Sequence, residues 1–142
     1  MKTLIAYRFT GETKENLENL ITPINNAFKK LGVEAYCTFF DKNLAKIEST
    51  FKPQDYTFYA FKLINNIDFL FVVLNSDEKS EGMILEIGYC IGKNIPVIVA
   101  IKDGVNKTYL PGMANLIIKW KDFQDLSNKI SKIDYKNLKN IL

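Results

Sequence analysis

A chain of 142 residues, 47% of them hydrophobic and 25% charged, has the composition of one globular domain. We therefore treat residues 1–142 as a single domain, large enough to fold without disulfides or a structural metal. The formal net charge is only +3 and the lysines are scattered, which argues against a nucleic-acid partner, because such a surface needs clustered basic residues. The N-terminal apolar run is too short for a signal peptide and no run could span a membrane, so we expect a cytoplasmic protein with no membrane partner.

The residue types that are missing narrow the chemistry further. The chain has no histidine, which excludes a Ser-His-Asp triad, a Cys-His pair and a histidine-ligated metal. Its two cysteines, Cys37 and Cys90, fit neither a zinc nor a disulfide framework, and we expect buried thiols in a reducing compartment. Acid–base or nucleophilic chemistry must therefore fall to carboxylates, tyrosine or lysine.

The hydrophobic pattern alternates between strands and helices along the whole chain. In the first half of the chain it predicts a strand at 4–7, a helix at 17–31 that stops at Gly32, and a strand at 33–39. The stretch 41–52 is unassigned, with room for a short helix, and a helix follows from Pro53 to about 65. In the second half it predicts strands at 68–74, 95–101 and 115–120, with helices at 81–93 and 123–133. We find no internal repeat or linker.

Strands that are apolar throughout and separated by helices indicate a parallel sheet with both faces covered. The predicted fold class is therefore α/β, a flavodoxin-like three-layer sandwich with a five-stranded parallel sheet. Ligands in such folds bind beyond the carboxyl ends of the strands, where the strand order reverses. The loops after the first, third and fourth predicted strands are accordingly the places to look for a site.

The loop after the first predicted strand contains Arg8, Thr10 and Gly11, and Arg8 is the only arginine of the chain. A guanidinium offers paired donors to a carboxylate or phosphate, and a glycine lets the backbone approach a ligand closely. The alternative interpretation is an ordinary surface arginine beside a turn glycine.

The loop after the third predicted strand leads into a helix at Ser80, which can act as an N-cap or as a phosphate ligand. Glu86 then lies among apolar neighbours. A carboxylate in this position belongs either to the solvated stripe of the helix or to a site, because glutamate is rarely buried without a partner. The periodicity alone does not decide between the two.

The segment from Ser80 to Tyr89, preceded by a strand that begins at Asp68 and followed by the segment 95–98, resembles the signature of nucleoside 2-deoxyribosyltransferases. It also resembles that of their relatives, the 2'-deoxynucleoside 5'-monophosphate N-glycosidases. The resemblance implies that Glu86 is the nucleophile that attacks the anomeric carbon, a role that carboxylates perform in retaining glycosidases without a metal or cofactor. It implies for Tyr7 a hydrogen bond that orients Glu86 and tunes its pKa.

The resemblance also bears on the substrate, a small-molecule nucleoside or nucleotide. Six residues before the nucleophile, the transferases acting on free nucleosides have aspartate and the monophosphate glycosidases have serine. Ser80 stands there, and a serine at a helix N-terminus accommodates a phosphate that an aspartate would repel. We therefore expect a monophosphate substrate bound by Ser80 and Gly82 together with Arg8, Thr10 and Gly11.

Several alternatives remain open at this stage. Ala60 or Phe61 stands where the family has a further substrate-binding aspartate, which leaves base and sugar recognition undecided. Four aromatic residues could stack a base, although such residues are more often found in cores: Phe9, Phe40, Phe58 and Tyr59. The competing functions are a deoxyribosyltransferase acting on free nucleosides and a non-catalytic nucleotide-binding module. The resemblance further implies a homodimer or higher homo-oligomer.

Overall fold

The computed structural model describes the backbone of residues 1–141 and the side chains of residues 1–138. Its strands are β1 (Lys2–Ala6), β2 (Glu34–Tyr36), β3 (Phe69–Leu74), β4 (Val97–Lys102) and β5 (Leu116–Trp120). Its α-helices are α1 (Lys14–Lys30), α2 (Lys42–Ile47), α3 (Pro53–Ile64), α4 (Glu81–Gly92) and α5 (Phe123–Ser131). Short 3₁₀ helices occur at Thr38–Phe40, Glu48–Thr50, Leu110–Met113 and Tyr135–Ile141.

The strands form one parallel sheet in the order β2-β1-β3-β4-β5. The chain first moves outward from β1 to β2, then crosses back over β1 to β3 and continues in the other direction. The strand order therefore reverses between β1 and β3. This arrangement confirms the predicted α/β flavodoxin-like sandwich.

Two separate hydrophobic clusters flank the sheet. One cluster packs α1 and α5 against side chains such as Ile5 and Phe71, and the other packs α3 and α4 against Leu4 and Val72. Neighbouring residues of one strand thus face opposite clusters. The strands are apolar at nearly every position because both of their faces are buried.

Some predicted boundaries were wrong. The strand predicted at 33–39 ends at Tyr36, because the chain turns into the 3₁₀ helix that begins at Thr38. Leu31 was expected on the buried face of the first helix, but it is the C-cap residue of α1 and is 39% exposed. The stretch 41–52 does hold a short helix, α2, capped by Asp41.

Asp68 lies at the amino end of β3, far from the edge where a ligand is expected. Its Oδ2 accepts a hydrogen bond from the backbone N–H of Lys2 at 2.7 Å, and its own N–H donates to the carbonyl of Lys2 at 2.8 Å. Asp68 therefore fastens the start of β3 to the start of β1. Across the described residues, no helix is both long and apolar enough to cross a membrane.

Candidate active site

The predicted site residues lie at the carboxyl edge of the sheet, at the reversal between β1 and β3. Tyr7 directly follows β1, and the loop after β3 leads to Ser80, the N-cap of α4. Ala6 pairs with Val72, so β1 and β3 run side by side and their following loops leave the sheet together. The structure thus places Tyr7 and the start of α4 where a doubly wound sheet binds its ligands.

The N-terminus of α4 is capped by a single side chain. Ser80 Oγ accepts a hydrogen bond from the N–H of Met83 at 3.3 Å, and the Ser80 carbonyl accepts from the N–H of Ile84 at 3.2 Å. The N–H groups of Glu81 and Gly82 have no acceptor within the described part of the chain. A Cβ on Gly82 would meet nothing within 4 Å, so open space lies beside this first turn. The turn can accept an anion.

Glu86 lies in the second turn of α4 and is half-buried. The exposed stripe of this helix is formed by other residues, namely Glu81, Leu85, Gly88 and Ile91. No residue that the structure describes forms a hydrogen bond or an ion pair with the Glu86 carboxylate. Loss of hydration by burial raises its pKa from 4.5 to about 7. The carboxylate therefore does not belong to the solvated stripe, and it is held without a protein partner.

The charge of Glu86 acts on two other titratable groups. Its negative charge contributes to the raised pKa of the Cys90 thiol on the buried side of α4, after the larger effect of burial. It also contributes to the raised pKa of Tyr7, across the gap from the end of β1. Glu86 is therefore near enough to both Tyr7 and Cys90 for its charge to act on them.

Tyr7 is half-buried, and its hydroxyl is hydrogen-bonded to Thr38 Oγ1 at 2.9 Å. Burial raises the pKa of Tyr7 above its usual range, with further contributions from the charges of Cys37, Glu86 and Glu48. The hydroxyl therefore keeps its proton at neutral pH. The hydrogen bond to Glu86 that the sequence resemblance implies is not formed in this structure.

Arg8 is engaged within its own loop. Its Nη2 lies 2.6 Å from Glu12 Oε1, its Nη1 donates to the carbonyl of Thr10, and its buried Nε has no partner among the described residues. Gly11 closes this loop with φ +80°, and a Cβ there would lie 3.0 Å from Arg8 Nη1. Thr10 and Gly11 are exposed. A phosphate would have to displace Glu12 before Arg8 could bind it through both terminal nitrogens.

The positions expected to carry the further aspartate of the resembling families are used for packing. Ala60 is 3% exposed in the cluster between α3, α4 and the sheet. The Phe61 ring stacks on Tyr89, with 4.3 Å between ring centroids and 10° between planes. Neither residue can therefore supply the carboxylate of those families.

The sequence analysis gave no role to Thr38 or Asp41 and considered Tyr59 only for base stacking. The hydroxyl of Tyr59, on α3, donates to Asp41 Oδ2 at 2.5 Å, and the N–H of Asp41 donates to the Thr38 carbonyl at 3.2 Å. Tyr59 and Asp41 are 18 residues apart and Asp41 and Thr38 are 3 apart, and the hydrophobic pattern of the sequence gives no sign of either contact. Only the capping potential of Asp41 ahead of α2 was visible in the sequence.

Two open clefts flank the loop after β2. One, of about 350 Å³, is bordered by polar residues that include Asp41 and Tyr59, and the other, of about 470 Å³, by Phe9, Glu12 and Phe39. Phe40 borders both and is 44% exposed, whereas Phe58 is 61% exposed and borders neither. Glu86 lines neither cleft. Of the aromatic residues considered for base stacking, Phe9, Phe40 and Tyr59 thus each border at least one of these clefts.

Within the described residues, no group of three or more aspartate, glutamate, cysteine or histidine side chains could hold a metal ion.

No protein-family model and no curated protein matches the sequence. Solved structures match the fold over almost the whole chain. The CMP N-glycosidase BcmB of Clostridium botulinum has a TM-score of 0.67 at 16% identity, covering 92% of this chain and 97% of its own. A 2-deoxyribosyltransferase of Bacillus psychrosaccharolyticus has a TM-score of 0.68 at 19% identity, covering 97% and 96%. BlsM has a TM-score of 0.67 at 16% identity, covering 99% and 90%.

The chain thus has the nucleoside 2-deoxyribosyltransferase-like fold, and the resemblance first seen around Ser80–Tyr89 is confirmed at the level of the fold. With identities of at most 19%, this likeness concerns the architecture. What the site does has to be argued from its own residues.

Proposed function

We propose that this protein cleaves the N-glycosidic bond of a nucleoside 5'-monophosphate or nucleoside through a covalent glycosyl-Glu86 intermediate. The observation that carries the proposal is the Glu86 carboxylate, which is half-buried and has no hydrogen-bonding or ionic partner among the described residues. It belongs to α4, the helix that follows β3 at the strand-order reversal. An unpaired carboxylate in a desolvated position is costly, and such positions concentrate at functional sites. Two neighbours in fold, an N-glycosidase and a 2-deoxyribosyltransferase, support the same bond as the target.

The proposed reaction has two steps. Ionised Glu86 attacks the anomeric carbon C1', the C1'–N bond breaks, and the base leaves with the bonding pair and is protonated by water. The resulting hydroxide, or a water molecule that gives its proton to this hydroxide, then attacks C1'; this gives the free sugar or sugar phosphate and regenerates the carboxylate. The transition state has oxocarbenium character, and a carboxylate that is poorly hydrated stabilises that positive charge more strongly than one in bulk water.

The first turn of α4 is the part of the site suited to a phosphate. Directly after Ser80, the backbone N–H groups of Glu81 and Gly82 lack acceptors among the described residues. The helix dipole favours an anion at these groups. We assign the 5'-phosphate to this turn, one and a half helical turns before Glu86. Arg8 can bind the phosphate only if its ion pair with Glu12 breaks. Thr10 and Gly11, which are exposed in the same loop, would then contact the phosphate as well.

A transferase would use the same Glu86 intermediate but pass the sugar to a second base in place of water. The 2-deoxyribosyltransferase with the same fold supports this alternative. The two reactions differ only in the acceptor, so product analysis separates them.

The test uses the purified full chain with a panel of nucleosides and their 5'-monophosphates, with and without a second free base. Chromatography measures released base and exchanged nucleoside, and acid-quenched intact-mass spectrometry measures a sugar adduct. We expect base release from at least one monophosphate and a loss of about 10³-fold or more in Glu86→Ala. Glu15→Gln, an exposed carboxylate on α1, is the control and should retain full activity.

Base exchange without net hydrolysis would assign the transferase reaction. Binding of a monophosphate by calorimetry, with no Glu86-dependent turnover on any substrate, would overturn the proposal in favour of a nucleotide-binding module. Turnover without a sugar adduct on the Glu86 peptide under any quench time would remove the covalent step.

A further inference from the structure

We propose that Asp77 is a positioning residue, which holds the start of α4 ready for its ligand by tying it to the loop after β4. The proposal rests on the proposed function, because it takes the first turn of α4 as the place where the phosphate of the ligand binds. It adds a residue of the loop after β3 that the proposed function leaves without a role.

The contact that carries this inference joins two loops at the carboxyl edge of the sheet. Asp77 Oδ1 accepts hydrogen bonds from the backbone N–H groups of Asn106 at 2.9 Å and of Lys107 at 2.7 Å. Asp77 belongs to the loop between β3 and α4, whereas Asn106 and Lys107 follow β4. The donors lie 29 and 30 residues further along the chain, so the fold makes this contact and not a local turn.

The two hydrogen bonds are strengthened by the charge of their acceptor. The pKa of Asp77 is lowered, first by the N–H of Lys107 and then by that of Asn106, with a smaller contribution from the charge of Lys107. Asp77 is therefore ionised at neutral pH, and both contacts are charge-assisted. An amide oxygen in the same place could accept from the same N–H groups without carrying a charge.

The loop that contains Asp77 has few other anchors. Among the described residues, the Asp77 bonds are the only hydrogen bonds from residues 76–79 to another part of the chain. The remaining hydrogen bond of this stretch is internal, from the N–H of Glu78 to Ser76 Oγ at 3.3 Å. Ser80 follows as the N-cap of α4. Asp77 therefore fixes the chain three residues before the helix begins to offer its free N–H groups.

A fixed approach to α4 matters because binding an anion orders the groups that bind it. If the chain before Ser80 moved freely, a ligand would have to order it, and this entropy cost would weaken binding. With Asp77 bound to the loop after β4, the N–H groups of Glu81 and Gly82 are already in place. The coupling is reciprocal, so a ligand that prefers the tied loop must also stabilise the Asp77 hydrogen bonds.

Positioning and simple electrostatics predict opposite results when Asp77 is replaced. Removing a carboxylate three residues before an anion site relieves repulsion, so Coulomb's law alone predicts tighter binding of a phosphate in Asp77→Ala. Loss of the tied loop predicts weaker binding. Asp77→Asn removes the charge but keeps an acceptor for both N–H groups, so it should bind a phosphate about as tightly as the wild type.

The probe is ribose 5-phosphate, which carries a sugar and a phosphate but has no base to release, and calorimetry measures its Kd. We expect Asp77→Ala to raise the Kd about fivefold or more and Asp77→Asn to keep it within about twofold, as is usual for the loss of one or two hydrogen bonds. Asp68→Ala is the matched control, because Asp68 also accepts a backbone N–H, at 2.7 Å, but at the opposite edge of the sheet. This variant should leave the Kd unchanged. Unchanged or tighter binding in Asp77→Ala, or an equal loss in Asp68→Ala, would overturn the positioning role.

Amide hydrogen exchange gives a second readout that needs no variant. Saturating ribose 5-phosphate should slow the exchange of the Asn106 and Lys107 N–H groups in the wild type, by the same factor by which Asp77→Ala weakens binding. Exchange rates that do not respond, or a protein that does not bind ribose 5-phosphate, would contradict the proposal. Slowed exchange in a protein without Glu86-dependent turnover would instead uphold the role of Asp77 and reject the proposed function.

Discussion

Arg8 Nη2 lies 2.6 Å from Glu12 Oε1, and the exposed fractions of the two side chains are only 13% and 10%. The only arginine of the chain is therefore neutralised by a residue of its own loop. The pair fixes the loop after β1, and a ligand phosphate can use Arg8 only by competing with Glu12.

Glu12→Gln should therefore destabilise the protein. The substitution leaves a largely buried guanidinium without its counter-charge, and we expect the free energy of unfolding to fall by about 1–3 kcal/mol. Urea denaturation measures the effect. Glu18→Gln, an exposed glutamate on α1, is the control and should change stability by less than about 0.5 kcal/mol. Equal effects of the two substitutions would show that the Arg8–Glu12 pair does not stabilise the loop.

Gly11→Ala should disturb the same loop from its backbone. Gly11 and Gly104 both have positive φ, at +80° and +90°, so alanine strains either position by about 1 kcal/mol. Only at Gly11 would the new Cβ also press on Arg8 Nη1 at 3.0 Å, because Gly104 has open space. Thermal denaturation should therefore show a larger loss for Gly11→Ala, and the KM for a monophosphate should rise in that variant alone. The same stability loss in both would mean that Arg8 moves aside freely.

Gly82→Ala tests the phosphate assignment at the first turn of α4. A Cβ meets nothing at either Gly82 or Gly88, so alanine at each helical position should leave stability unchanged or raise it by up to about 1 kcal/mol. At Gly82 the methyl group would occupy the space beside the free N–H groups, and we expect the KM for monophosphates to rise about tenfold or more while that for nucleosides changes little. Gly88→Ala should change neither KM. An unaltered monophosphate KM in Gly82→Ala would place the phosphate elsewhere.

The pKa of Glu86 predicts how stability depends on pH. The fold raises this pKa from 4.5 to about 7, so the folded state favours the protonated form. This contribution is fully present below about pH 4.5 and is lost as the pH rises through about 7. Relative to Glu86→Gln, which does not titrate, the wild type should lose about 1–3 kcal/mol of unfolding free energy between pH 4.5 and 8. Urea denaturation at a series of pH values measures the unfolding free energy of both proteins. A difference between the two free energies that stayed constant with pH would contradict the burial of Glu86.

Activity should follow the opposite trend, because only the ionised carboxylate can attack C1'. We expect kcat/KM to rise with pH through a midpoint near 7 and then to level off. A midpoint near 4.5 would indicate that Glu86 is fully hydrated in the free enzyme.

Both thiols should resist modification in the folded protein. Cys37 is 7% exposed and Cys90 is fully buried, and burial raises the pKa of each to about 12. A thiol reagent at pH 8 should therefore label neither cysteine until denaturant is added, because the thiolate is the reactive form. Rapid labelling of one thiol in the native protein would show that its surroundings open in solution.

The sequence by itself determined the layered architecture and singled out Glu86 as a candidate. Strands such as Phe69–Leu74 are apolar at each residue because helices cover both faces, and that local signal does not depend on distant partners. Glu86 stood out for a similar reason, since one carboxylate in an apolar helix segment violates the local pattern. Its resemblance to a known signature could be read directly from neighbouring residues.

The tertiary structure decided which partner each polar side chain takes. The Tyr7 hydroxyl is bonded to Thr38, 31 residues away, and Tyr59 to Asp41, 18 residues away, and no periodicity links such pairs. β2 ends early, at Tyr36, because the chain turns into the 3₁₀ helix that begins at Thr38. The sequence does not show this turn, because the β-branched and aromatic residues of 33–39 are typical of a strand. Hydrophobic burial repeats with the period of the backbone and can be read from the sequence, whereas single hydrogen bonds depend on where the folded chain brings two residues together.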